Sequence, residues 1–238
     1  MIISKNNPKI KEVKSLKQKK FRDELNLYFV EGHKMVKEAI AFKLPIEYVI
    51  GVKEELDRLV LDGYACYEVE KEVFALITDE KTPEGIIAVI KKDDLSFIPP
   101  KGKCLLLDRI SDPGNLGTII RTAVASGFKQ IYLLNTVDSY SPKAIRASMS
   151  GIYFSSVYKI QKEEVDLITL PKICADMDGV NVFEFEKRVE NFCLIIGSEA
   201  HGVSQELLNK SDYIVSIPMQ KVESLNAGVA AGILMYLL

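Results

Sequence analysis

Three short stretches combine glycines with polar side chains in a pattern able to hold a ligand. They are Asp112-Pro-Gly-Asn-Leu-Gly-Thr-Ile-Ile-Arg121, Gly197-Ser-Glu-Ala-His-Gly202 and Glu223-Ser-Leu-Asn-Ala-Gly228. Each follows an apolar run of strand character (CLLLD, CLIIG, YIVSI) and leads towards a helix-like pattern. The first has the strand–loop–helix layout of an anion cradle, in which helix N-terminal N–H groups meet a phosphate. Its spacing fits neither common cradle. Gly114 and Gly117 stand three apart where a dinucleotide fingerprint needs G-x-G-x-x-G, and no Gly-Lys-Ser/Thr follows. Taken singly, each stretch is an ordinary strand–turn–helix junction, with Ser224 or Asn226 suited to an N-cap. Taken together, three such junctions after buried strands belong at the carboxyl edge of a parallel sheet, outside which ligands of open α/β folds bind.

The elements that would position them form two alternations. In the C-terminal part, CLLLD, QIYLLN, SSVYKI, KICADM, FCLIIG and DYIVSI are predicted strands, and 115–126, 142–150, 204–210 and 224–237 predicted helices. Strands apolar throughout point to a parallel sheet covered on both faces. Ahead of them, Asn7-Pro8 opens a helix, proline being suited to the first turn. Ile10, Val13, Leu16 and Phe21 give it an apolar stripe. LYFV, a helix over 33–42, IEYVI, a helix over 54–60, ACYEV, a helix over 72–77 and GIIAVI follow, which is a small α/β domain. KKDDLSFIPPKGK has charges, Pro-Pro and Gly but no periodicity. The predicted organisation is therefore domain 1–92, linker 93–103 and domain 104–238.

The chain has 238 residues, 47% hydrophobic and 27% charged, the balance of a globular protein with a real core. Its apolar runs are too short to span a bilayer, and the N-terminus has no apolar segment before a small-residue cleavage site. Four scattered cysteines are expected as reduced thiols of a cytoplasmic protein. With two histidines and no Cys-x-x-Cys, no metal site is expected. Net charge is -2, yet from Lys5 to Arg22 eight basic residues face one acidic residue, Glu12. That segment is +7 and the remainder -9, an asymmetry that predicts a polyanion contact at one end.

DPGNLGTIIRTAVASGF, IIGSEAHGVSQELL and IPMQKVESLNAGVAAGI stand in the order and spacing of a known family. The chain resembles the SpoU (TrmH-like) family of RNA ribose 2′-O-methyltransferases, of the knotted SPOUT superfamily. NPKIKEVKSLKQKKFRDELNLYFVEGHKMVKEA is similar to the opening of the L30e-like substrate-binding domain that many members carry. Two positions depart from the pattern. Gln220-Lys221 stands where members commonly have a glycine, and Ala227-Gly228 replaces the usual Val-Ser. Both flank the cofactor loop.

The resemblance implies an L30e-like α/β domain followed by an α/β domain with a deep trefoil knot, assembled as a homodimer. It implies methylation of a ribose 2′-hydroxyl in structured RNA from S-adenosylmethionine, without a metal. The two-domain architecture favours 23S rRNA as substrate. A transfer RNA 2′-O-methyltransferase and a catalytically inactive RNA-binding protein of the same fold are the alternatives. Gly197, Ile217 and Leu225 match cofactor-binding positions, contacted largely through backbone groups, which are full hydrogen-bonding groups whatever the side chain. Arg121 matches the catalytic arginine, either a base or a fork that grips phosphate and steadies an alkoxide. Asn115 is expected to orient Arg121 or the substrate, Glu199 to lie on the cofactor side, and Ser224 and Asn226 to contact the ribose. Lys11, Lys14, Lys17 and Lys20 are the candidate RNA contacts on the basic helix.

Overall fold

The computed structural model describes residues 3–93, 95–186, 189–222 and 224–238. Asp94 of the expected linker and Glu223 of the third motif lie outside them. The chain forms two compact units, Met1–Asp94 with Tyr140–Arg146, and Leu95–Ser139 with Ala147–Leu238.

The first unit contains α1 (Pro8–Ser15), α2 (Lys19–Leu25), β1 (Leu27–Glu31), α3 (His33–Ala41), β2 (Ile46–Gly51), α4 (Lys53–Leu56), β3 (Cys66–Glu68), α5 (Lys71–Phe74) and β4 (Ile86–Lys91). The sheet order is β1-β4-β2-β3, with β4 antiparallel to both neighbours and β2 parallel to β3. Asn7 caps α1 by accepting from Lys9 N at 2.9 Å, and Pro8 fills the first turn. Ile10, Val13 and Leu16 pack on Phe29, Tyr48, Ile50 and Phe74.

The single basic helix expected from sequence is two helices. The chain turns at residues 16–18, and Arg22, only 3% exposed, reaches back so that Nη1 donates to Leu16 O at 2.7 Å. The carbonyls at a helix end need partners, and a buried guanidinium supplies one here. Arg22 is thus a capping group within the core rather than part of the basic face. Lys19 and Lys92 both pair with Asp23. Although partial burial works against it, these contacts hold the Asp23 carboxyl down to about 2. In the segment Tyr140–Arg146, the Tyr140 ring lies 4.7 Å from that of Tyr28, and Arg146 Nε lies 2.5 Å from Glu80 Oε1.

The second unit contains β5 (Cys104–Asp108), α6 (Pro113–Ala125), β6 (Gln130–Leu134), β7 (Ser156–Ile160), β8 (Lys172–Asn181), β9 (Cys193–Ile196), α8 (Gln205–Asn209), β10 (Tyr213–Ser216) and α9 (Ala227–Leu237); of α7 (Pro142–Ser148), the residues up to Arg146 belong to the first unit and the rest to the second. Six strands lie in the order β10-β8-β9-β5-β6-β7, every neighbouring pair parallel. β5 and β9 are buried along their whole length, as strands covered on both faces must be.

The starts of α6 and α9 differ from the sequence expectation by two and three residues. Asp112 caps α6: its Oδ1 accepts from Asn115 N at 2.9 Å, with Pro113 in the first turn. Asn226 caps α9, accepting from Gly228 N at 2.9 Å and Val229 N at 3.3 Å. Gly228 and Gly232 of α9 lie against Thr118 and Thr122 of α6, so this small-residue stripe is spent on packing within the unit.

β8 is longer than KICADM and is interrupted. Ile214 of β10 pairs with Cys174 and Val215 with Val180, so residues 175–179 loop out of the ladder. Gly179 makes the return possible, since a Cβ there would stand 2.6 Å from the Val215 backbone. All four cysteines are thiols, three of them buried, and burial pushes Cys174 up to about 12. Among the described residues, no helix is long and apolar enough to cross a membrane.

Candidate functional site

β9 and β10 empty towards a cavity of about 480 Å³ at the carboxyl edge of the parallel sheet. Gly197, Glu199, Ile217, Ser224 and Leu225, all singled out from sequence, line it. Asp176 and Met177 of the β8 bulge form another part of its wall. Sequence reasoning missed these two by treating KICADM as plain strand. The signal was present: Asp-Met-Asp-Gly is turn chemistry inside a strand pattern, and an isolated strand glycine marks a bulge.

The three loops are joined by side-chain hydrogen bonds. Asn226 Nδ2 donates to Asn115 Oδ1 at 2.9 Å, and Asn115 Nδ2 donates to Glu199 Oε1 at 2.5 Å. Ser111 Oγ lies at 3.5 Å from the other Glu199 oxygen. One carboxamide therefore bridges the first motif to both others. An asparagine can do this because it offers a donor and an acceptor on one planar group. Both ends of Asn115 are engaged in this way, with Glu199 and Asn226 rather than with Arg121.

The turn after β9 owes its shape to Gly197. Ser198 and Gly202 exchange backbone hydrogen bonds at 3.1 and 2.9 Å, folding Gly202 back over residue 197. A Cβ at Gly197 would stand 2.1 Å from Gly202 C. Glycine is required here by the turn's own backbone, so this tight turn is what presents Glu199 to the cavity. His201, also on the turn, lines the cavity as well.

Arg121 lies on the exposed side of α6. Among the described residues its guanidinium makes no hydrogen bond or ion pair. The 3-10 turn Met149–Tyr153 packs beside it through Gly151, whose Cβ would meet the Arg121 Cα at 3.0 Å. Ser224 and Asn226 are exposed, and Ile217 and Leu225 half-buried.

The four candidate lysines separate into two groups. Lys11, Lys14 and Lys20 are exposed and have no carboxylate partner among the described residues. Lys17 is tied to Asp79 Oδ1 at 2.7 Å and Thr78 O at 3.1 Å, which neutralises it against its own unit.

Comparison with known proteins gives this geometry its context. Residues 102–236 match the model of the SpoU rRNA Methylase family, and residues 7–88 match that of the MRM3-like substrate binding domain. The chain is 34% identical to 23S rRNA (guanosine(2553)-2'-O)-methyltransferase RlmP of Bacillus subtilis, over 99% of this chain and 97% of that protein. Among solved structures it is similar to an AdoMet-bound rRNA methyltransferase from Sinorhizobium meliloti, with TM-score 0.88 and 27% identity over 100% of this chain and 96% of that one. The AdoMet complex of the SpoU methyltransferase AviRb from Streptomyces viridochromogenes superposes with TM-score 0.86 at 25% identity, over 98% of this chain and 97% of that one. With its C-terminal unit matched across nearly its whole length and a relative at one third identity end to end, the chain belongs to the SpoU rRNA Methylase family.

Proposed function

We propose that the protein methylates a ribose 2′-hydroxyl of large-subunit ribosomal RNA, using S-adenosylmethionine. One observation carries the proposal: the Asn226–Asn115–Glu199 chain of hydrogen bonds, which locks three sequence-distant loops together beside a cavity of ligand size. The name and complete coverage of the Bacillus subtilis relative favour ribosomal over transfer RNA.

The cavity suits the cofactor chemically. A volume of about 480 Å³ falls within the range of small-molecule sites. Its described lining includes the carboxylates Asp176 and Glu199 but no lysine or arginine, which favours a cationic ligand. When bound, S-adenosylmethionine supplies an electrophilic methyl group on a sulfonium. Gly197, Ile217 and Leu225 would hold it through their backbone N–H and C=O groups. Glu199 would hold Asn115, and Asn115 would fix Asn226, leaving Ser224 and Asn226 to place the ribose.

Positioning the hydroxyl in line with the methyl can supply a large part of the barrier reduction. Arg121, without a partner among the described residues, is the fork that grips the neighbouring phosphate and steadies the oxygen as its proton leaves. A guanidinium stays protonated in proteins, so it acts by charge and geometry and not as a base. Lys11, Lys14 and Lys20 would contact the RNA backbone.

The assembly belongs to the same proposal. Val229, Tyr236 and Leu237 of α9 are exposed apolar residues, which fits a homodimer built on that helix. The path after β10, with α9 returning onto α6, is taken to thread the trefoil knot. The protein acts in the cytoplasm, where ribosomal RNA is available.

The deciding experiment measures methyl transfer from labelled S-adenosylmethionine into 23S and transfer RNA by the parental protein, Arg121→Ala and Arg121→Lys. Transfer to 23S RNA, abolished in Arg121→Ala with cofactor affinity and Tm unchanged, is the expected result. Lysine keeps the charge but loses the planar fork, so little recovery is expected. Transfer at the parental rate by Arg121→Ala would remove Arg121 from the mechanism. Absence of transfer to any RNA would favour the inactive RNA-binding alternative.

A further inference from the structure

The turn that carries Glu199 is held from outside as well as by its own backbone. Asp108, the last residue of β5, is 2% exposed. Its Oδ2 accepts hydrogen bonds from Ser204 N at 2.8 Å and from Arg109 Nε at 3.2 Å. The other arm of the same guanidinium, Arg109 Nη2, donates to Gly202 O at 3.3 Å. Arg109 thus spans from a buried carboxylate on one strand end to a backbone carbonyl in the turn after another. Its own backbone stands at φ +58°, a conformation that costs a non-glycine residue about 1–2 kcal/mol and persists where the surroundings over-determine it.

These contacts fall where the turn would otherwise open. Gly202 and Ser204 form its far end, and closure there presses Gly202 against Gly197. Neither Asp108 nor Arg109 lines the cavity. Whatever they do for the ligand must pass through the turn.

We propose that Asp108 and Arg109 are a positioning pair that latches turn 198–202 shut, fixing the cofactor wall and, through Glu199, the Asn115–Asn226 bridge. This rests on the reading of the cavity as the S-adenosylmethionine site. The pair does not touch substrate or cofactor; it sets where Glu199 and the Gly197–Gly202 backbone stand. Loss of one partner acts on cofactor binding first, because the turn is a wall of that cavity. Turnover in the fully loaded complex survives, because the bound cofactor itself helps to close the turn.

The test compares parental protein with Arg109→Ala, Arg109→Lys and Asp108→Asn. It uses calorimetric titration with S-adenosylmethionine and steady-state kinetics with 23S RNA, and it records Tm. For Arg109→Ala the cofactor KM and Kd should rise about tenfold to a hundredfold, the loss expected when charge-assisted hydrogen bonds that hold a binding wall are removed. The RNA KM should stay parental and kcat at saturating cofactor should be largely retained. Arg109→Lys offers one donor position where arginine offers a fork, so it should recover only part of the affinity. Asp108→Asn keeps the shape and should show the same split; if it does not fold, the Arg109 variants still decide. A parental cofactor KM in Arg109→Ala overturns the latch. So does a rise in RNA KM alone, which would make Arg109 a phosphate contact. Parental protein that fails to bind S-adenosylmethionine refutes the proposed function, and the assignment of this pair with it.

Discussion

Gly197→Ala is the smallest change that tests how the cofactor wall is made. The added methyl carbon would stand 2.1 Å from Gly202 C and 2.2 Å from Val203 N, against 3.4 Å or more for ordinary contact. All three nearest atoms are backbone, so no side chain can swing aside, and the turn must withdraw by roughly 1 Å. A displacement of about 1 Å at a site costs on the order of a hundredfold in activity, equivalent to about 2.7 kcal/mol at about 1.36 kcal/mol per factor of ten. Overpacking itself should cost about 1–3 kcal/mol of stability. Gly127→Ala is the matched control: it sits at φ +89° with nothing within 4 Å, so it should cost about 1–2 kcal/mol of strain and leave the cofactor alone. Calorimetric titration with S-adenosylmethionine, urea unfolding and single-turnover methylation of 23S RNA supply the three readouts. A Gly197→Ala protein with parental cofactor affinity and rate would show that turn 198–202 is not part of the binding wall.

Two further outcomes concern the basic end of the chain. Replacing Lys11, Lys14 and Lys20 together by Gln should flatten the salt dependence of RNA binding by roughly 0.7–0.9 in log–log slope per lost phosphate contact. Lys17→Gln, at a lysine already paired with Asp79, should leave that slope unchanged, and an unaltered slope in the triple variant would exclude this basic segment as the RNA contact. Arg22→Ala leaves Leu16 O without its buried donor and should destabilise the first unit by about 1.5–3 kcal/mol in urea unfolding. RNA affinity lost from Arg22→Ala at unchanged stability would contradict its role as a cap.

Family and reaction class were legible through the resemblance of three motifs to the SpoU family, and the parallel sheet through local chemistry. Uninterrupted apolar runs such as CLLLD and CLIIG dictate strands buried on both faces, and three glycine-bearing loops after such strands must meet at one edge. Ser224 and Asn226 were both recognisable as cap candidates, as short polar side chains before a helix, and the fold assigns the cap to Asn226.

Tertiary structure decided which partner each polar group takes. Arg22 belongs, by sequence, to a run of positive charges; the fold turns the chain at residues 16–18 and spends it on the Leu16 carbonyl. Lys17 is likewise withdrawn by Asp79, more than sixty positions away. Asn115 bonds to Glu199 and Asn226, separated from it by 84 and 111 positions, and no local pattern encodes such a pairing. The Asp176–Gly179 bulge reaches the cavity only because β10 pairs with β8 on both sides of it. Local sequence fixes backbone preference and burial within a few residues. The strength of a hydrogen bond or ion pair depends instead on distances under about 3.5 Å, and between remote residues those are set only once the sheet has ordered its strands.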